Sequence, residues 1–354
     1  MSGHRPGLAP ARLAVDGTAL DPELTGAGRR VACLLPRLAT RGWEPVLFVS
    51  RDSGALWADL PGVETVPLPV PRHPAPLRAA LARAPLAREL RQRRATVLLT
   101  DVPPAPRALP FVLLVHDARA WDAPQLVSAG RRWWLRRTIP HAARAAAAVV
   151  TPSQATADRL QALFPGCTAQ VVPNGCDHLP LDQHWSAGAE ARADLLLAVG
   201  PWDRRKDLPT LLQAWSRLAP RPRLRLVGRP AGQLPDGVEA GPASDVELAG
   251  LYRRAAVTIC PSRYEGFGLP LAEALAQGCP VVASDLPAHR EVGGAVARYF
   301  APGDVAALAA AISELRQEPG DPGPRLERAA GFSWRESASR MDAVLRQVCG
   351  LGGV

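Results

Sequence analysis

Short apolar runs and segments of helical period take turns along the whole chain, and this alternation limits the fold more than any other feature. RLAVD (12–16), PVLFV (45–49), ATVLLT (95–100), FVLLVH (111–116), AAVVTP (147–152) and QVVPN (170–174) read as strands. Between them lie helical segments such as Arg29 to Arg41, Leu77 to Arg94 and Ser153 to Leu163, with Ser153 placed as an N-cap. After the polar stretch CDHLPLDQHWSAGAEARAD the pattern restarts with LLLAVG (195–200), LRLVG (224–228), VTICP (257–261), PVVAS (280–284) and ARYF (297–300). Strand and helix in alternation call for parallel strands joined by right-handed crossovers. Near-continuous apolar strands fit a sheet covered on both faces. The expectation is an α/β protein of two doubly wound parallel-sheet halves joined near residue 190. A last helix, Ser333 to Val348, follows the second half and is free to cross back to the first.

Composition narrows the function classes. With 354 residues there is room for two domains, each with its own core. No apolar run approaches the ~20 residues that span a bilayer, and MSGHRPGLAPARLAVD lacks the apolar core of a signal peptide, so a cytoplasmic protein is expected. Six cysteines stand scattered without a CxxC pair or a histidine at ligand spacing, which argues for buried free thiols and against a metal site. The net charge of +9 fits anionic partners. One arginine patch interleaves Trp133 and Trp134 with Arg131, Arg132, Arg136 and Arg137. It suits peripheral contact with an anionic membrane, at the inner face of the plasma membrane, and equally a solvated helix face with its tryptophans turned inward. No nucleic-acid motif accompanies it, and nucleic acid is not an expected partner.

Ligands of doubly wound domains sit beyond the carboxyl ends of the strands. In GPWDRRKDLPTLL, Lys206 is the only lysine in the chain, and it follows the strand LLLAVG where a helix begins near Lys206 or Asp207. A helix start offers free N–H groups to a phosphate. Arg205 can fork onto one phosphate while Lys206 supplies a mobile point charge. The second dense stretch, PSRYEGFGLPLAEALAQGCPVVASD, follows the strand VTIC. Gly266 and Gly268 flank Phe267 before a helix entered through Leu269 and Pro270, so these amides are placed to address sugar or phosphate oxygens. Glu265 precedes that helix and Glu273 lies inside it, so the two are expected to touch different parts of one ligand. Read as structure only, Glu273 is a helix-dipole partner and Glu265 a solvent carboxylate.

These residues carry a resemblance. RYEGFGLPLAEALAQGCPVVASDLPAHREV resembles the signature of the family 4 retaining glycosyltransferases of the GT-B fold, whose hallmark is two glutamates with seven residues between them. LAVDGTALDPELTGAGRR, FVLLVHDARAW, VVTPSQATADRL, VVPNGCD, AVGPWDRRKDLPTLLQAW and FSWRESASRM extend the likeness, in order, over nearly the whole chain. The resemblance implies two facing Rossmann-like domains, residues 1–189 on the acceptor side and 190–332 on the donor side, with 333–354 crossing back. It implies that a hexose, such as mannose, moves from a nucleoside diphosphate sugar to a hydroxyl of a saccharide or lipid-linked acceptor with retained configuration and no metal or other cofactor. By position, Lys206 and Arg205 match the diphosphate-binding pair, Glu273 the ribose-binding glutamate and Glu265 the glutamate beside the donor sugar. Gly266 to Leu269 match the loop holding sugar hydroxyls and phosphate, His116 a histidine beside the sugar, and Gly26 to Gly28 a glycine loop approaching the diphosphate. The chain departs from the pattern in two places: Pro201 stands where many relatives carry a basic residue, and Pro242 and Ala243 where relatives often carry larger side chains near the base.

Other classes fit less well. In TGAGRRV the third glycine of a dinucleotide fingerprint is Val31, and the first glycine stands too far from Asp16. A pyridoxal-phosphate enzyme would need Lys206 itself as its Schiff-base lysine. A non-catalytic nucleotide-sugar binder acting as a partner subunit is the alternative from a binding class.

Overall fold

A computed structural model describes residues 11–21, 26–103, 105, 109–180 and 193–351. The residues at the expected domain boundary, 189 and 190, lie outside them. The first half is a seven-stranded parallel sheet of order β3-β2-β1-β4-β5-β6-β7. Its strands are β1 Ala11–Gly17, β2 Trp43–Ser50, β3 Glu64–Leu68, β4 Val97–Thr100, β5 Phe111–Leu114, β6 Ala148–Thr151 and β7 Ala169–Val171. The second half is a six-stranded parallel sheet of order β10-β9-β8-β11-β12-β13. Its strands are β8 Ala193–Val199, β9 Arg223–Val227, β10 Val238–Gly241, β11 Ala255–Cys260, β12 Val281–Ser284 and β13 Arg298–Phe300. Both sheets reverse strand order beside their first strand, which opens a crevice at the carboxyl ends of the strands.

The all-apolar strands work as a two-faced sheet requires. On β1, Leu13 and Val15 join one core cluster and Ala14 the other; on β8, Leu197 faces one core, Leu196 and Ala198 the opposite one. The helix Ala75–Gln92 contributes Ala82, Leu86 and Leu90 to the same core as Ile139 and Ala142 of the helix Ala129–Ala145, so these two helices cover one face of the first sheet. The other face is covered by the helix Gly26–Ala39 together with the last helix, Trp334–Val348, whose Met341, Val344 and Leu345 are buried in the first half. Trp43 Nε1 donates to Asp342 Oδ1 at 2.7 Å, fixing that crossing.

Every strand read from the sequence is present. Two more, β3 and β10, went unread because both lie at sheet edges, are half-exposed and carry no apolar run. Ser153 caps the helix Gln154–Leu163 through the Thr156 amide.

Candidate functional site

The two halves meet along the carboxyl ends of their strands, through paired side chains from each. Arg29 forks onto Asp245, Nη1 and Nη2 to the two carboxylate oxygens at 2.7 and 2.6 Å. Tyr264 Oη donates to Asp122 Oδ2 at 3.0 Å. The Glu291 carboxylate accepts the Gln154 and Ala155 amides at 2.8 and 2.9 Å, capping a helix of the other half.

At this seam Glu265 Oε1 collects three donors: Arg205 Nη1 at 2.7 Å, Lys206 Nζ at 2.9 Å and Ser262 Oγ at 2.8 Å. Burial alone would raise the Glu265 carboxyl. The charges of Arg205 and Lys206 and the Lys206 hydrogen bond outweigh burial and hold the carboxyl far below the ordinary carboxylate range. Glu265 is thus a buried ionised carboxylate, not the solvent-facing group its simplest sequence reading gave.

Local structure places the two cations. Asp203 Oδ1 accepts the Arg205 amide and caps a short 3-10 turn, Arg204–Lys206. Asp207, in the left-handed region with φ 45°, then turns the chain into the helix Leu208–Ser216. The helix start expected near Lys206 or Asp207 is therefore a 3-10 turn leading into an α-helix. Asp207 is held by Thr210 Oγ1 at 2.8 Å and by Arg263. The Lys206 stem lies on Gly200, where a Cβ would stand 2.8 Å from its Cε. A side chain at position 200 would press on that stem, so the glycine there leaves Lys206 its room. Arg205 Nε is buried without a hydrogen bond, 3.7 Å from the Asp203 carboxylate.

The loop that follows Glu265 is built for close approach. A Cβ on Gly266 would stand 1.9 Å from the His116 carbonyl oxygen, across the seam. Gly268 takes φ +95° and starts the helix Leu269–Ala276, so the first amides of that helix have no side-chain cap and face any anion brought there. Phe267 is buried edge-on against Phe332, with ring centroids 5.7 Å apart. His116 Nε2 stands 3.2 Å from Asp101 Oδ2.

Glu273 lies apart from Glu265, buried at 4% exposure. Tyr252 Oη donates to its Oε2 at 2.8 Å, and His178 Nε2 stands 3.1 Å from its Oε1. Trp334 Nε1 donates to His178 Nδ1, which leaves the imidazole proton on Nε2, near Glu273 but not aligned for a hydrogen bond to it. Each carboxylate oxygen keeps a second lone pair for a further donor. Gly26 opens the first helix with nothing within 4 Å of a would-be Cβ, and Gly28 is buried within that helix. Of the residues named from sequence, Arg205, Lys206, Glu265, Gly266 and His116 come together, with Phe267 to Leu269 beside them. Glu273 sits in its own hydrogen-bonded pocket. Sequence reasoning gave no role to Asp101, Tyr252, His178 or Thr156, and to Ser153 only that of a helix cap. His178 follows the motif VVPNGCD by one residue, which was the one available signal.

On the basic helix Ala129–Ala145, Trp133 is 62% exposed, whereas Trp134 is only partly so. Arg136 Nε is tied to the Ala120 carbonyl and Arg132 Nη1 to that of Pro124. Among the described residues no helix is long and apolar enough to cross a membrane.

Comparison with known proteins agrees with this architecture. The model of glycosyltransferase family 4 matches residues 24–178, and that of the group 1 glycosyl transferases matches residues 193–318. The O-antigen chain mannosyltransferase B of Escherichia coli is 27% identical over 257 residues, 64% of this chain and 63% of that protein. The chain thus spans a little less than two thirds of that relative. Among solved structures, sucrose-phosphate synthase from Thermosynechococcus elongatus superposes with a TM-score of 0.76 over 97% of this chain and 100% of that one, at 20% identity. Anabaena HepE, solved in complex with UDP, does so with a TM-score of 0.70 over 95% of this chain and all of that one, at 17% identity. Both halves match in sequence order and superpose on the GT-B fold; the chain belongs to the family 4 glycosyltransferases.

Proposed function

We propose that the protein transfers a hexose, mannose by likeness to its O-antigen relative, from a nucleoside diphosphate sugar to an acceptor hydroxyl in glycan or glycolipid assembly, with retained anomeric configuration. The observation that carries this reading is the buried cluster of Arg205, Lys206 and Glu265 beside the uncapped helix start at Gly268. In such a transfer, positive charge develops on the sugar ring while negative charge builds on the departing diphosphate. Fixed cations and helix amides lower the barrier where that charge appears. Arg205 and Lys206 supply the cations, with Glu265 keeping both in place until phosphate oxygens share them. In this reading no metal or other cofactor takes part. Glu273 accepts the ribose hydroxyls and His116 lies against the sugar, with the glycines of the first helix, Gly26 and Gly28, facing the diphosphate.

The acceptor is assigned to the first half, and its chemistry to a lipid-linked or saccharide hydroxyl. Supporting a membrane-borne acceptor, Leu77 and Leu81 (46% and 47% exposed) and Trp133 stand out from two helices covering the same sheet face, among Arg83, Arg131, Arg136 and Arg137. Apolar side chains set among arginines suit an anionic lipid surface.

The test is a panel of GDP-, UDP-, ADP- and TDP-hexoses, read first by melting temperature and then by transfer. One base is expected to raise the melting temperature, since only a ligand that prefers the native state stabilises it. Stabilisation by none of the four overturns the reading; stabilisation without transfer or hydrolysis makes the protein a non-catalytic binder.

A further inference from the structure

The corner between β6 and the helix Gln154–Leu163 reaches across the seam in two ways. Its helix amides are capped by Glu291, and its hydroxyls hold the peptide that follows Glu265. Ser153 Oγ stands 2.6 Å from the Gly266 carbonyl oxygen, buried and 113 residues away in sequence; Thr156 Oγ1 adds a longer contact at 3.3 Å. The Ser153 hydroxyl has two acceptors within reach, the Gly266 carbonyl at 2.6 Å and Thr156 Oγ1 at 3.0 Å, and the carbonyl is the nearer. It accepts the Thr156 amide as the helix cap, at 3.1 Å, and at the shorter distance its single proton goes to the Gly266 carbonyl.

This contact fixes a direction. In a trans peptide the carbonyl oxygen and the following N–H point to opposite sides. Holding the Gly266 oxygen toward the first half therefore sends the Phe267 N–H the other way. The Phe267 ring, locked on Phe332, holds the second side of the same peptide from the second half. Gly266 is pressed so near His116 that no side chain fits there, so the peptide is clamped between the halves on both sides.

We propose that Ser153, assisted by Thr156, is a positioning residue for sugar transfer: from the acceptor half it sets the orientation of the donor-binding loop Gly266–Leu269 when the two halves are closed. With the halves apart, the Gly266 carbonyl loses both hydroxyls and the amides at the start of the next helix lose their alignment. Donor then binds to an unfinished site, and closure completes it, which keeps the departing diphosphate from being stabilised before the acceptor half is in place.

The inference rests on the transferase reading, so its test has one arm that needs no activity. In Ser153→Ala, hydrogen exchange of the peptide spanning residues 264–272 should quicken. In Glu291→Ala, which breaks the same corner without touching the loop, it should stay close to the parent. In transfer assays, Ser153→Ala should lower kcat roughly 10- to 100-fold, the scale set by one lost buried hydrogen bond and a displaced reacting group. Donor dissociation should stay within about twofold, since the second half still holds the donor. Ser153→Thr, which keeps cap and proton, should restore kcat; Thr156→Val, which leaves the cap intact, should give a smaller loss of the same kind. Parent-like exchange and kcat in Ser153→Ala overturn the proposal. So does an equal kcat loss in Glu291→Ala, which would leave closure alone as the cause. If the parent transfers no sugar at all, the functional reading fails, and the exchange arm alone decides this one.

Discussion

The ammonium of Lys206 lies 2.9 Å from Glu265 Oε1, and both side chains are more than nine-tenths buried. Each charge would cost several kcal/mol to bury alone. Together with Arg205 they form a set in which the positive charge exceeds the negative by one. In the proposed transfer that excess, held at the carboxyl end of β8 and beside an uncapped helix start, is what the diphosphate meets.

Lys206→Ala should cut turnover by about two orders of magnitude or more, the range for losing one electrostatic stabiliser. Lys206→Arg should also be impaired, because a planar fork replaces a compact point charge in a buried cluster that already holds Arg205. Steady-state kinetics of both variants decide this. Full activity in Lys206→Arg would show that the site does not distinguish the two cations.

Gly266→Ala places a methyl 1.9 Å from the His116 carbonyl oxygen, backbone against backbone across the seam. Neither side is a flexible side chain, so the halves or the loop must separate. A stability loss of about 1–3 kcal/mol is expected from overpacking, with a larger fall in kcat than in donor affinity. A melting curve and a kcat-against-KM comparison test it; a parent-like kcat would mean the halves are not closed in the active state.

Burial raises the Asp16 carboxyl to about 6 from its ordinary 3.8, although Thr18 donates two hydrogen bonds to it and pulls the other way. The folded chain thus holds this proton more tightly than the unfolded chain does. Asp16 contributes most stability below the unfolded value and loses it as pH climbs to about 6. Asp16→Asn mimics the neutral form. Its margin in unfolding free energy over the parent, read from denaturant titrations, should grow between about pH 4 and pH 6 and stay level above that, reaching at most about 3 kcal/mol. A margin independent of pH would mean that Asp16 is ionised throughout.

Trp133→Ala combined with Arg137→Gln should weaken sedimentation with anionic phospholipid vesicles severalfold, since each basic residue at such a surface contributes about 1 kcal/mol. Turnover on a soluble acceptor should not change. A parent that fails to bind such vesicles at low salt ends the membrane assignment.

Much of the fold was legible because its information is local. Apolar runs of strand length, a serine before a helix and glycines beside a proline each express a backbone preference within a few residues. The edge strands β3 and β10 escaped because half-exposed strands need no apolar run, and β3 even tolerates Pro67. The Trp133–Trp134 pair shows the limit at side-chain level: helical period does not say which tryptophan the sheet face covers, and packing exposed the first far more than the second.

By itself the sequence determined the order of strands and helices, the two doubly wound halves, and the residue types of the donor loop and the lysine turn. Tertiary structure alone decided which of these meet. Lys206 and Glu265 are 59 residues apart, Ser153 and Gly266 113, and Glu273 and His178 stand on separate segments, with His178 also accepting from Trp334 of the crossing helix. Single polar residues leave no periodic trace in a chain. Their partners are chosen only when segments far apart in the chain pack together, within the second half for Lys206 and Glu265 and across the seam for Ser153 and Gly266, because there a buried charge or carbonyl must find its complement or lose several kcal/mol.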